Sequence, residues 1–173
     1  MMPTDRDLRA FELVAKSDDP KKLKIIAKNA AALGATELVR AAELRLFDIM
    51  PAEAPGTLEH DVWRSIFALE SVLTSERNKT TRLGRTRPKI ARVGELETVR
   101  DLVLATKPSE GFEMLVQRRM IGLTFEAVAL RHRDNFDERT LAAASMRLQG
   151  LVEAGLLSNN EYEQIIQPTY PAT

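Results

Sequence analysis

Apolar residues recur every three or four positions along nearly the whole chain, and no stretch joins β-branched enrichment to a clean alternation bounded by turns. That spacing lays an apolar stripe along a helix and offers nothing to a sheet, so it predicts an all-α fold. Thr4 and Asp7 stand as N-cap and third helical residue ahead of Leu8, Phe11 and Val14, which predicts a first helix ending near Asp18 and Asp19. Pro20 suits the start of a second helix, whose Leu23, Ile26, Ala27, Ala30 and Leu33 share a face up to Gly34. Leu38, Ala41, Ala42 and Ile49 mark a third. The short connection makes the last two an αα-hairpin, and their alanines permit close approach. No second copy of this pattern follows, so the hairpin reads as a lone unit and not as part of a solenoid.

Pro51 to Thr57 (PAEAPGT) holds two prolines and a glycine and is the best boundary in the chain. The predicted organisation is an N-terminal helical hairpin over 1–50, a linker over 51–57, a larger multi-helix orthogonal bundle over 58–157, and a short C-terminal helix and tail over 158–173. Val62, Ile66, Leu69 and Leu73 follow one another at heptad-like spacing, with Trp63 and Phe67 widening the face. They predict a helix from Thr57 or Leu58 to about Arg77. Its stripe reads first as core and second as a homodimer seam.

The 173 residues include no cysteine, which excludes disulfide scaffolds, thiolate metal sites and cysteine nucleophiles. No apolar run approaches the roughly 18–20 residues that cross a bilayer, and Met1 to Asp7 is polar. A cytoplasmic protein with no membrane contact is the expectation. The charges balance at 25 basic against 25 acidic, yet seven cations and no acid fall between Arg77 and Arg92, leaving 18 basic residues against all 25 acids elsewhere. A strongly cationic segment therefore sits on a mildly anionic body.

That segment carries Lys79, Thr80, Thr81, Arg82, Arg85, Arg87, Lys89 and Arg92, and those residue types in one peptide suit phosphate binding. Arginine presents a planar fork of donors that matches phosphate oxygens, and threonine hydroxyls add neutral donors. Pro88 disfavours helical geometry at Arg87, so a mobile loop is expected from Asn78 to Thr86 or Arg87, with a helix beginning around Pro88. Gly94 then ends or interrupts that helix. No aromatic residue interleaves the cations, so the segment would grip the backbone rather than stack bases. The opposing reading is a solvated segment paired with acids such as Glu95, Glu97 or Asp101. Arg118, Arg119, Arg131 and Arg133 form a second basic group that would extend the surface only if the fold joined the two.

Thr124-Phe125-Glu126-Ala127-Val128-Ala129-Leu130 followed by Thr140 to Leu157 (TLAAASMRLQGLVEAGLL) resembles the helix, turn and recognition helix of winged-helix transcription regulators, over about 35 residues. The resemblance implies Ser145, Arg147 and Gln149 as major-groove contacts. Ser158-Asn159-Asn160-Glu161 departs from that family, because a capping box predicts a helix where the family carries a β-hairpin wing. The same tail also resembles the αα-hairpins through which many bacterial proteins oligomerise.

Catalytic motifs are missing. His60, between Glu59 and Asp61, reads as a surface histidine in a helix first turn, and six residues separate Glu126 from His132, placing them on different faces. There is no phosphate-cradling glycine loop, nucleophile elbow or dinucleotide fingerprint. The sequence thus predicts a nucleic-acid-binding protein, DNA ahead of RNA, that needs no metal or cofactor and leans away from catalysis. The alternative is a helical protein–protein interaction or oligomerisation module whose arginines meet an acidic partner.

Overall fold

The structure, a computed structural model, describes residues 4–169 and is all-helical. Among the described residues there are nine α-helices and no strand. The chain divides into two compact units, the first through Ala52 and the second from Glu53.

The first unit contains α1 (Asp5–Lys16), α2 (Pro20–Ala32) and α3 (Thr36–Ile49). Thr4 caps α1 reciprocally with Asp7: the Asp7 amide donates to Thr4 Oγ1 at 3.2 Å, and the Thr4 amide donates to Asp7 Oδ2 at 2.8 Å. Asp19 caps α2, with Pro20 at its first position. Helices α2 and α3 form the hairpin, and α1 packs on α3. Val14, Leu23 and Ala42 are buried at the centre, with Ile26, Ala27, Leu38 and Ala41 around them. Burying Leu23 fully contributes about 1.5–3 kcal/mol. Arg45 Nε donates to the Ser17 carbonyl at 2.9 Å and satisfies the chain where it leaves α1.

The second unit is organised around α4 (Leu58–Arg77). Val62, Ile66, Leu69 and Leu73 are all buried, so the heptad-like stripe is used inside the unit's own core. Asp61, Ser65, Ala68, Glu70 and Val72 are buried too, on other faces of the same helix. A helix covered on most sides is a core element. The short α7 (Phe125–Arg131) is likewise central, with Glu126 through Leu130 buried and the buried Thr124 capping it. Between them lie α5 (Thr86–Leu104) and α6 (Glu110–Gln117); α8 (Glu138–Glu153) and α9 (Asn159–Ile165) complete the unit.

Two local predictions about α5 resolve differently. The helix begins at Thr86, two residues before Pro88, and not at Pro88 itself. Pro88 then occupies the first turn, where an amide has no intrahelical acceptor, so its missing N–H costs nothing. Gly94 interrupts the helix: its φ of 86° and ψ of 172° lie in a region essentially confined to glycine, and they bend the element between its basic first half and its second half.

The winged-helix resemblance is overturned. The chain after Leu157 enters α9, with the Glu161 amide donating to Ser158 Oγ and the Ser158 amide to Glu161 Oε2 at 2.9 Å, in place of a wing. Two of the three implied base contacts face inward. Arg147 donates to Glu126 at 2.7 Å and to the Leu102 and Ala105 carbonyls, and Ser145 hydrogen-bonds Tyr162 at 3.2 Å.

Candidate nucleic-acid interface

Helix α4 ends at Asn78, whose φ of 51° is left-handed, a conformation asparagine tolerates better than most residues. The basic segment then crosses an eight-residue connection before α5. It is tethered. The Thr81 amide donates to Thr74 Oγ1 at 3.0 Å, Thr81 Oγ1 donates to the Lys79 carbonyl at 2.9 Å, and the Leu83 amide donates to Glu70 Oε1 at 2.9 Å while its side chain packs on the core. These anchors fix Thr81 and Leu83 to α4 at two points.

Glu70 is the organising residue. Besides the Leu83 amide it accepts from Arg87 Nε at 2.6 Å and Nη2 at 2.8 Å, a bidentate pair. The Arg87 guanidinium lies 4.9 Å from the Trp63 ring centroid and 5.7 Å from that of Phe67, so it is stacked as well as paired. Trp63 is held in turn through Nε1, which donates to Glu95 at 3.1 Å. Burial pushes the Glu70 carboxyl up, but Arg87, the Leu83 amide and the Arg82 charge outweigh it and hold it below the usual carboxylate range. Lys89 pairs with Asp101 at 2.7 Å, and that pairing lowers the Asp101 carboxyl. Arg87 and Lys89 are therefore paired within the chain.

The structure leaves Arg77, Lys79, Arg82, Arg85 and Arg92 exposed, with Thr80 exposed beside them and Thr81 half-buried. None of those five cations forms an ion pair among the described residues. Glu76, the acid next to Arg77, pairs instead with Arg118 at 3.2 Å. The seven charges of the segment thus reduce to five facing solvent. Arg77, Arg82 and Arg85 converge on one cleft of about 430 Å3 whose apolar lining includes Leu69, Leu73, Phe112, Leu115 and Phe125. Lys79 and Arg92 do not line it. The second basic group does not join this surface as a block, since Arg131 is buried elsewhere and Arg118 is paired.

Two buried polar clusters went unseen in the sequence. Asp61 receives Arg64 at 2.6 Å, Arg131 Nε at 3.0 Å and a hydrogen bond with His132 Nε2 at 2.8 Å. Burial would raise the Asp61 carboxyl, and His132, Arg131 and Arg64 together drive it far below its ordinary value. Arg131 Nη1 also donates to the Gly122 and Ile165 carbonyls at 2.7 Å, which fastens α9 to the core. His60, expected at the surface, is buried. In the second cluster, burial raises the Glu126 carboxyl, and Arg147 pulls it partway back. No spacing rule could reveal these partners, because Asp61 and His132 are 71 residues apart. Among the described residues no three of His, Asp and Glu converge as a bound metal would require, and no helix is long and apolar enough to cross a membrane.

Compared with known proteins, the chain matches no family model, no curated protein and no solved structure.

Proposed function

We propose that the protein binds nucleic acid, duplex DNA ahead of RNA, by gripping phosphates with the exposed cations of the segment from Arg77 to Arg92. The observation that carries this reading is the set Arg77, Lys79, Arg82, Arg85 and Arg92, five exposed cations crowded into sixteen residues without an acid, on a chain whose remainder is net acidic. Carboxylates are plentiful elsewhere, so their exclusion from this stretch favours an external anion. Glu70 supports the reading from beneath: by anchoring Leu83 and Arg87 it fixes the peptide that presents Arg82 and Arg85, so little ordering remains to oppose binding. Phosphate contacts of this kind position a protein without reading sequence, and weak discrimination among sequences is the expected behaviour. The apolar stripe that motivated an oligomerisation module is buried within the second unit and lends that alternative no support.

Fluorescence anisotropy of the full chain with labelled duplex and single-stranded oligonucleotides, at about 50 and 200 mM salt, tests the reading. Binding at low salt that weakens steeply at high salt, and that is abolished by R82E/R85E, is the expected result. Absence of binding to either form at low salt would remove it.

A further inference from the structure

The cleft beneath Arg82 and Arg85 is more than the underside of a basic loop. Its volume, about 430 Å3, falls in the roughly 300–1,000 Å3 range of small-molecule sites. Its lining is divided chemically. Leu69 and Leu73 of α4, Phe112 and Leu115 of α6, and Phe125 of α7 supply an apolar wall. Arg77, Arg82 and Arg85 supply three cations that have no carboxylate partner among the described residues. A phosphate backbone has no use for the apolar wall, and an uncharged apolar ligand has no use for the arginines.

Two acids also line the cleft, and they do not cancel the cations. Glu126 is neutralised by Arg147 at 2.7 Å, which leaves Glu110 alone against three arginines. Residues of the first turns of α5 and α6 line the same space, namely Arg85 and Thr86 of one and Ser109 to Phe112 of the other. Helix starts carry partial positive charge, so they add to the same preference, and that of α5 has no side-chain cap.

We propose that this cleft binds an amphipathic monocarboxylate, a small molecule with an apolar body and a single anionic head. The body lies against Leu69, Leu73, Phe112 and Phe125, where it removes apolar surface from water at about 25 cal/mol per Å2. The carboxylate sits at Arg77, Arg82 and Arg85, whose forked donors fit it bidentately. Both halves are needed, because neither a short carboxylate nor an apolar cation satisfies the two walls together.

Isothermal titration calorimetry of the full chain with sodium decanoate, sodium acetate and decyltrimethylammonium separates the contributions. Decanoate gives saturable binding at one site, and the other two give none at the same concentrations. R82E/R85E weakens decanoate at least about tenfold, as loss of charged hydrogen bonds requires. Met114 also lines the cleft, and M114W, which places a bulky ring there, weakens decanoate binding to a similar degree. In the unaltered protein, decanoate shifts the amide resonances of Leu83, Phe112 and Phe125, a readout that stands whether or not the variants fold. No saturable decanoate binding up to about 1 mM, equal binding of the ammonium amphiphile, or shifts confined to residues outside the cleft would overturn the proposal. The titration contains no nucleic acid, so its failure and the failure of the phosphate-gripping reading are separate results.

Discussion

Replacing Glu70 with Gln removes one charge and almost no volume from beneath the basic segment, and its cost can be worked from the contacts. Glutamine offers one acceptor oxygen where glutamate offers two, so its NH2 meets an Arg87 donor head-on and one of the two charge-assisted bonds is lost. A charged hydrogen bond contributes about 1.5–3 kcal/mol, so losing one costs roughly 2 kcal/mol. The Arg87 side chain is 26% exposed and keeps its contacts with Trp63 and Phe67, which lowers the expected loss to about 1–2 kcal/mol. For a unit of this size that is a fall of about 3–8 °C in Tm at neutral pH, read by circular dichroism. The pH dependence carries the sharper test. The folded-state pKa of Glu70 is depressed, so its contribution is fully present above the unfolded carboxylate value of about 4.3 and is lost as pH falls through the folded value. The gap between E70Q and the unaltered protein should therefore be widest near neutrality and close progressively in acid. Hydrogen exchange should show Leu83 protected before the substitution and less so after it. Equal Tm values at pH 7, or a gap that stays constant from pH 7 down to about pH 3, would refute the view that ionised Glu70 holds the segment in place.

Asp61→Asn strips the counter-charge from Arg64 and Arg131 inside the core and should cost about 3–5 kcal/mol in urea unfolding, with α9 the first element to lose exchange protection; a loss under about 1 kcal/mol would contradict the role of Arg131 as its fastening. Glu126 titrates in the opposite sense to Asp61: its folded-state pKa is raised, so its contribution is fully present below the unfolded carboxylate value and is lost as pH rises through the folded value. Arg147→Leu should strengthen that loss, giving a protein whose Tm declines relative to the unaltered chain as pH rises above the unfolded carboxylate value, and a parallel pH profile would count against it. Gly94→Ala forces a side chain into a backbone region that disfavours it and should lower stability by about 1–3 kcal/mol, checked by the same unfolding assay.

Helix positions were legible because they rest on local chemistry. The Thr4–Asp7 and Ser158–Glu161 capping boxes and Pro20 at the start of α2 each act within three residues, and each stands in the structure as its sequence implies. The stripe from Val62 to Leu73 announced a helix and its apolar face. It could not announce that α4 is covered on its other sides as well, since the covering residues belong to α5 through α7. The charged segment shows the same division. Its composition marks an unusual concentration of cations, and Asp101 was named among the acids that could meet them. Which cations are withdrawn depends on contacts across 17 residues for Arg87 and Glu70, and a buried glutamate on a core helix leaves no local mark. His60 and His132 looked unremarkable for the same reason: burial and the partnership with Asp61 arise only when α4 meets the end of α7. The winged-helix likeness failed where a short similarity in helical pattern met tertiary packing, with Arg147 drawn inward to the otherwise unpaired Glu126.

The salt dependence of oligonucleotide binding bears most directly on the central claim, that the five exposed cations between Arg77 and Arg92 can hold phosphates. For duplex DNA the plot of log K against log salt should be linear, with a slope no steeper than about −4.5 for five contacts and shallower by about 0.9 in R82Q, while R87K, at the inward-facing Arg87, changes stability and leaves that slope alone. A slope near zero, or one that R82Q leaves unchanged, would contradict the account.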